Sequence, residues 1–325
     1  MVRMTRFLFA AISAALMLGT ASPSLAQDKM TVLLDWFVNP DHAALVVARD
    51  KGFFAEQGLE VELIAPADPN DPPKLVAAGK ADLAVSYQPQ LHMMADQGLP
   101  LVRIGTLVGQ PLNSLVVLAD GPVQSISDLK GARIGYSVGG FEDALLGAML
   151  AGAGLSLDDI ELINVNWSLS PSLIAGQTDA VIGAFRNFEL NQMDIEGHPG
   201  RAFLPEEHGV PAYDELILLS SSHGRDDPRL PRFLRALEDA TAFVKENPAA
   251  AWDVFIAGYP DLDDELNRRA WKDTVPLLAD KPAKLDAKRY YDFAAFMRES
   301  GLTETSPDLH VYAEELTVPC NCSAN

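Results

Sequence analysis

The chain has 325 residues, close to half of them apolar, enough to bury a large core and, by length, to suggest two domains. Its formal charge of −20 excludes the basic stripe that nucleic-acid binding requires, and it steers poorly for anionic ligands. With only two cysteines there is no disulfide framework, so stability must come from packing.

Taken in chain order, residues 1–26 read as a secretory signal peptide. Arg3 and Arg6 precede an uncharged apolar run over 7–18, and Ser24-Leu25-Ala26 ends in small residues, so cleavage is expected after Ala26. The run is too short to remain as a membrane span, and no Cys follows it to carry a lipid. The mature chain is therefore expected to be exported and periplasmic, with a charge of −22 once the two arginines are removed.

From there strand and helix signals alternate. Strands are expected over 30–34, 61–65, 83–86 and 101–107, separated by helices over 42–51, 73–78 and 89–97. A second series follows, with strands over 133–136, 160–164, 180–184 and 202–205 and helices over 142–153, 171–176 and 188–196. Such alternation implies βαβ units and mostly parallel sheets. The two series echo each other: Ala77-Ala78-Gly79-Lys80-Ala81-Asp82 and Ala175-Gly176-Gln177-Thr178-Asp179-Ala180 both run from a Gly-ended helix through a turn with an Asp into a buried strand. After residue 227 the pattern turns wholly helical, over 231–246, 248–256, 263–275 and 286–299, which predicts a helical layer packed back on the first domain. The apolar stretches 114–118 and 215–220 are then the crossings between domains. The expected division is 27–117 with 220–325 as domain 1 and 118–219 as domain 2.

Four segments at strand carboxyl ends carry the ligand-binding chemistry, because ligands of open α/β sheets bind at that edge. Asp35, Trp36 and Asn39 follow the first strand, with His42 ranked below them as a ligand contact; Pro40-Asp41 is also ordinary helix-entry chemistry, but that reading leaves the indole unexplained. Tyr87 and Gln88 follow the 83–86 strand, and Asn187 and Glu189 follow the 180–184 strand. Tyr136, Gly140, Phe141 and Glu142 occupy a glycine-rich strand-to-helix turn that has neither a dinucleotide fingerprint nor a Walker lysine. Glu142 and Glu189 serve either a ligand or their helix dipoles, and Asn113 either a ligand or the hinge backbone. Aromatic rings with amides and carboxylates suit a flat, nitrogen-rich ring. No Gly-x-Ser-x-Gly elbow and no His-Glu-x-x-His helix is present, so nothing singles out a catalytic group. Cys320 and Cys322 can form a small local bridge, but with His310 as the one further donor they do not make a metal site. No cofactor or metal is expected.

Asp35-Trp36 through His42, Lys51-Gly52-Phe53-Phe54, Gly58-Leu59, Gly79-Lys80-Ala81-Asp82, Leu129-Lys130-Gly131 and Ile134-Gly135-Tyr136 resemble the thiamine-pyrimidine (NMT1/THI5-like) family over most of residues 30–220. Ser86-Tyr87-Gln88-Pro89 and Ala184-Phe185-Arg186-Asn187-Phe188-Glu189 resemble its formylaminopyrimidine-binding branch. The resemblance implies a type II periplasmic-binding clamshell joined by a two-strand hinge, a monomer that closes on an aminopyrimidine and then docks on an ABC permease of the inner membrane. Trp36 and Tyr87 would stack on the ring, Asp35, Glu142 and Glu189 would accept from its nitrogens, and Asn39, Gln88, Asn113 and Asn187 would orient it. The synthase branch of the family uses a lysine bearing pyridoxal phosphate, a sacrificial histidine and a cysteine-rich iron motif. Here Ser86 and Gln90 stand at the first two positions, and the segment 216–222, where the cysteines would fall, has none. The implied role is import of a thiamine precursor, formylaminopyrimidine or hydroxymethylpyrimidine; a riboflavin or other heteroaromatic binder, or an exported enzyme acting on such a compound, is the alternative.

Overall fold

The computed structural model describes residues 27–319; residues 1–26, where a signal peptide is expected, and the Cys320 and Cys322 pair lie outside the described residues. Ten strands, β1 (Asp28–Leu33), β2 (Leu59–Ile64), β3 (Leu83–Ser86), β4 (Leu101–Val108), β5 (Asn113–Leu118), β6 (Arg133–Tyr136), β7 (Glu161–Asn164), β8 (Ala180–Phe185), β9 (Gly200–Phe203) and β10 (Leu216–Ser221), form two five-stranded sheets. Their orders are β2-β1-β3-β10-β4 and β7-β6-β8-β5-β9, one pattern used twice. The α/β clamshell with mixed, mostly parallel sheets is the fold observed.

Each sheet contains one reversed strand, and in both cases it is the strand that has just arrived from the other lobe: β5 lies antiparallel to β8 and β9, and β10 to β3 and β4. The reason is geometric. The parallel strands end at the cleft, so a chain crossing the cleft enters at their carboxyl edge and can only run away from it. The stretches 114–118 and 215–220 are thus strands within the sheets, and the passages between lobes run just ahead of them, through 109–112 and 204–215.

The helices are α1 (Ala43–Asp50), α2 (Phe53–Glu56), α3 (Pro72–Ala77), α4 (Gln88–Asp96), α5 (Phe141–Gly152), α6 (Leu169–Ile174), α7 (Glu189–Ile195), α8 (Arg229–Glu246), α9 (Pro248–Gly258), α10 (Glu265–Thr274), α11 (Ala287–Glu299) and α12 (Leu309–Tyr312). Six consecutive residues of α1, Ala43 to Ala48, are buried, because the helix is covered on both sides: by the first sheet beneath and by α8 and α9 above. α8 buries Leu230, Phe233, Leu237, Ala240 and Val244 at helical spacing and leaves its other face charged. Among the described residues no helix is long and apolar enough to cross a membrane.

The sequence echo has a structural meaning. Gly79 and Gly176 both close their helices at φ 66°, where a side chain would be strained. Three residues on, Asp82 accepts from the Thr31 amide of β1 at 2.8 Å and Asp179 from the Arg133 amide of β6 at 2.9 Å. Each Asp also donates its own N–H back, to the carbonyls of Thr31 and Arg133. The motif staples β3 to β1 and β8 to β6, once per lobe. Asp82→Ala and Asp179→Ala should therefore each cost about 1–2 kcal/mol in urea denaturation, the usual size for orphaning a backbone donor. The two changes should cost about the same, because each side chain also pairs with an arginine, Asp82 with Arg229 at 2.8 Å and Asp179 with Arg133 at 2.9 Å.

Candidate functional site

The carboxyl ends of β1, β3, β6 and β8 meet across the cleft around one cavity. Of the twelve residues picked out in the sequence, Asp35, Trp36, Asn39, Tyr87, Glu142 and Glu189 line it. The first four come from one lobe and the two glutamates from the other.

On the first wall Asp35 is held by two donors. Tyr87 Oη donates to its Oδ2 at 2.9 Å, and His42 Nε2 lies 2.9 Å from its Oδ1. The Asn39 amide points at His42 Nδ1, so that nitrogen carries the lone pair and Nε2–H is the donor to Asp35. His42 is buried behind the wall as a positioning group. Asn39 caps the turn that starts the helix, its Oδ1 accepting from the Asp41 amide at 2.7 Å. The Tyr87 ring is stacked on Phe141 of the other lobe, with centroids 4.7 Å apart, and meets Phe185 edge-on, so its plane is fixed where the two lobes meet. Burial, followed by the charge of Asp35, pushes the Tyr87 hydroxyl well above its usual range, so it remains a donor.

The opposite wall carries two carboxyls on helix N-termini. Glu142 Oε2 accepts from the Ser137 amide at 2.8 Å, and Glu189 Oε2 accepts from the Phe185 amide at 2.6 Å. Burial pushes both up to about 8, against those backbone donors. Space for Glu142 is made by Gly183 at φ 93°, where a Cβ would sit 2.4 Å from the carboxylate. Among the described residues lining the cavity there is no lysine or arginine. A neutral carboxyl offers one donor and one acceptor side by side, and an ionised one offers two acceptors.

Six residues expected at the ligand stand elsewhere. Gln88 is fully buried and locks the first lobe, accepting from the Asp214 amide at 2.8 Å and reaching His92 at 3.3 Å. Asn113 Oδ1 accepts from the Gly183 amide at 3.0 Å, while its backbone N–H donates to buried Glu215 at 2.8 Å, so it belongs to the hinge. Tyr136 packs on the Gly139 turn, and Gly140 supplies the φ 93° that starts α5. Phe141 turns inward behind Tyr87. Asn187 bridges the lobes, donating to Asp41 at 2.6 Å and Thr274 at 2.7 Å.

The lobes are closed on each other. Trp36 meets Trp167 at 4.4 Å between centroids and Phe37 meets Phe188 at 5.9 Å, an aromatic seam over the mouth. Asn70 accepts from the Gly139 amide and donates to the Ser137 carbonyl. α10 of the helical layer holds α7 of the second lobe through Asn191–Asp273 and Arg269–Asp194. The lining residues missed in sequence include Asp41, Gly183, Phe185 and Leu169. A glycine inside the apolar strand β8 was the available sign of a close approach.

The family described as NMT1/THI5 like matches residues 39–251. A Haemophilus influenzae protein named provisionally as a thiamine biosynthesis protein is 57% identical over 90% of this chain and 94% of its own length. The formylaminopyrimidine-binding protein of Halalkalibacterium halodurans is 34% identical over 81% of this chain and 80% of its own. A 4-amino-5-hydroxymethyl-2-methylpyrimidine phosphate synthase of Aspergillus parasiticus is 27% identical over 76% of each, so the relatives include enzymes. Among solved structures, the alkanesulfonate-binding protein SsuA of Xanthomonas axonopodis pv. citri superposes with a TM-score of 0.70 at 16% identity, covering 89% of this chain and 98% of that one, a likeness of fold. By sequence match and by architecture, this chain is a member of the NMT1/THI5-like family built on the periplasmic-binding-protein fold.

Proposed function

We propose that the protein is the periplasmic binding component of an ABC importer, exported by residues 1–26, and that it captures a thiamine precursor, formylaminopyrimidine or hydroxymethylpyrimidine, for an inner-membrane permease. The observation that carries this reading is a closed cavity walled by aromatic rings and four carboxyl groups, with no cation in its lining. The carboxyls of Glu142 and Glu189, raised to about 8, hold protons at neutral pH. Such a group matches an aminopyrimidine edge, donating to the ring nitrogen and accepting from the neighbouring amino group. The same two hydrogen bonds persist if the proton moves to the ring. A phosphorylated pyrimidine would meet four carboxyl groups and, among the described lining residues, no lysine or arginine. The similarity to a formylaminopyrimidine-binding protein supports the same ligand class.

Binding without turnover is favoured by Ser86 and Gln90. They stand where the synthase branch is thought to carry its lysine and histidine, and here they are buried and hydrogen-bonded to each other at 2.6 Å. Calorimetry with formylaminopyrimidine, hydroxymethylpyrimidine, its phosphate, thiamine and riboflavin tests the assignment. Heat from the unphosphorylated pyrimidines, with ligand recovered unchanged, is expected; silence with both, or a chemically altered ligand, would contradict it.

Trp36→Ala should weaken pyrimidine binding by about 1–3 kcal/mol, the scale of aromatic stacking on a base. Equal affinity in calorimetry would leave Trp36 only its contact with Trp167. Glu142 also predicts a pH dependence of stability. Its folded value near 8 exceeds the unfolded 4.5, so the folded protein binds the proton more tightly. Stability is then greatest below about pH 4.5 and declines up to about 8, by at most ~1.4 kcal/mol per pH unit for one group. Glu142→Gln should raise the melting temperature of the ligand-free protein at pH 8 and leave it nearly unchanged at pH 5; equal effects at both would contradict the burial argument.

A further inference from the structure

One carboxylate of the cavity wall has an oxygen that no protein group reaches. Asp41 lines the cavity and is only 2% exposed. Its Oδ1 accepts from Asn187 Nδ2 at 2.6 Å and from Thr274 Oγ1 at 2.9 Å, and Asn187 also donates to Thr274 Oγ1 at 2.7 Å. This triangle joins the turn after β1, the segment between β8 and α7, and the end of α10, so it ties both lobes to the helical layer. Oδ2 of Asp41 is buried without a partner. Asp35, by contrast, has both oxygens engaged. A buried acceptor left bare is costly unless a donor arrives from outside the chain. Burial lifts Asp41 to about 6, so at neutral pH it is an ionised acceptor while Glu142 and Glu189 still hold protons.

We propose that Asp41 is a specificity-determining residue, its Oδ2 accepting from the exocyclic amino group of the ligand while its Oδ1 holds the closed lobes together. Recognition and closure then share one carboxylate. The role rests on the reading of the cavity as a pyrimidine site. A ligand without the amino group leaves Oδ2 bare, and sites built to bond a polar group reject analogues lacking it by large factors, here taken as about 100-fold or more.

The test is calorimetry and stopped-flow binding of 4-amino-5-hydroxymethyl-2-methylpyrimidine and its 4-desamino analogue to the wild type, Asp41→Asn and Thr274→Val. In Asp41→Asn the amide oxygen keeps Asn187 and Thr274, which turns the amide N–H toward the ligand, donor against donor. The amino ligand should lose about 30-fold or more, the desamino analogue about threefold at most, and the preference should collapse. Thr274→Val leaves Oδ2 in place, so the preference should persist while koff rises roughly 3–10-fold with kon little changed. Folded Asp41→Asn with the wild-type preference would overturn the proposal, and so would Thr274→Val with unchanged koff. A wild type that binds neither compound would instead contradict the proposed function, and the role of Asp41 would fall with it.

Discussion

Closing the two lobes takes Asp35, Asp41, Glu142 and Glu189 out of water around a cavity that no lysine or arginine lines. Burying unpaired carboxylates is among the more costly things a fold can do, and proteins commonly respond by keeping the proton on. Here the response is divided. Glu142 and Glu189 rise far enough to be neutral, whereas Asp35 is tied to His42 and Tyr87, and Asp41 to Asn187 and Thr274. Of the two ends of Asp41, Oδ1 is thus satisfied while Oδ2 is buried without a donor, and under the proposed function an N–H of the ligand supplies it. A closed state that gains more from the ligand than the open state does is the condition for a clamshell to close on it.

The fold places those acids without any local device. Parallel strands deliver their carboxyl ends to the cleft, and the segments that follow them hold Asp35, Tyr87, Ser137 and Phe185 at one edge in each lobe. The crossing strands β5 and β10 enter from that same edge, which is why both are reversed. Buried Glu215 sits at this junction and accepts from the amides of Leu112 and Asn113, while Asn113 passes the connection to Gly183 beside Glu142. The hinge and the ligand wall are thus linked through three hydrogen bonds.

Most of this architecture was legible in the sequence because strands, helix-ending glycines and the Asp82 and Asp179 turns repeat in order along the chain. The amphipathic spacing in α8 likewise announced a helical layer. Residues at strand ends were found for the same reason, since strand ends face the cleft. Which way a side chain turns there was not legible. Tyr87 and Gln88 are neighbours, yet one lines the cavity and the other is buried against Asp214 of the second crossing, 126 residues away in the chain. Asp41 read as ordinary helix-entry chemistry because its partners, Asn187 and Thr274, are 146 and 233 residues away in the chain. Trp167 meets Trp36 from 131 residues away in the chain, so nothing local marks the contact.

The most direct test of the account is a crystal structure of the protein grown with formylaminopyrimidine. The account predicts the ring inside the closed cavity against Trp36 and Tyr87, its ring nitrogen and amino group within hydrogen-bond distance of the carboxyls that line it. A ligand bound elsewhere, or an anion occupying the cavity in its place, would contradict it.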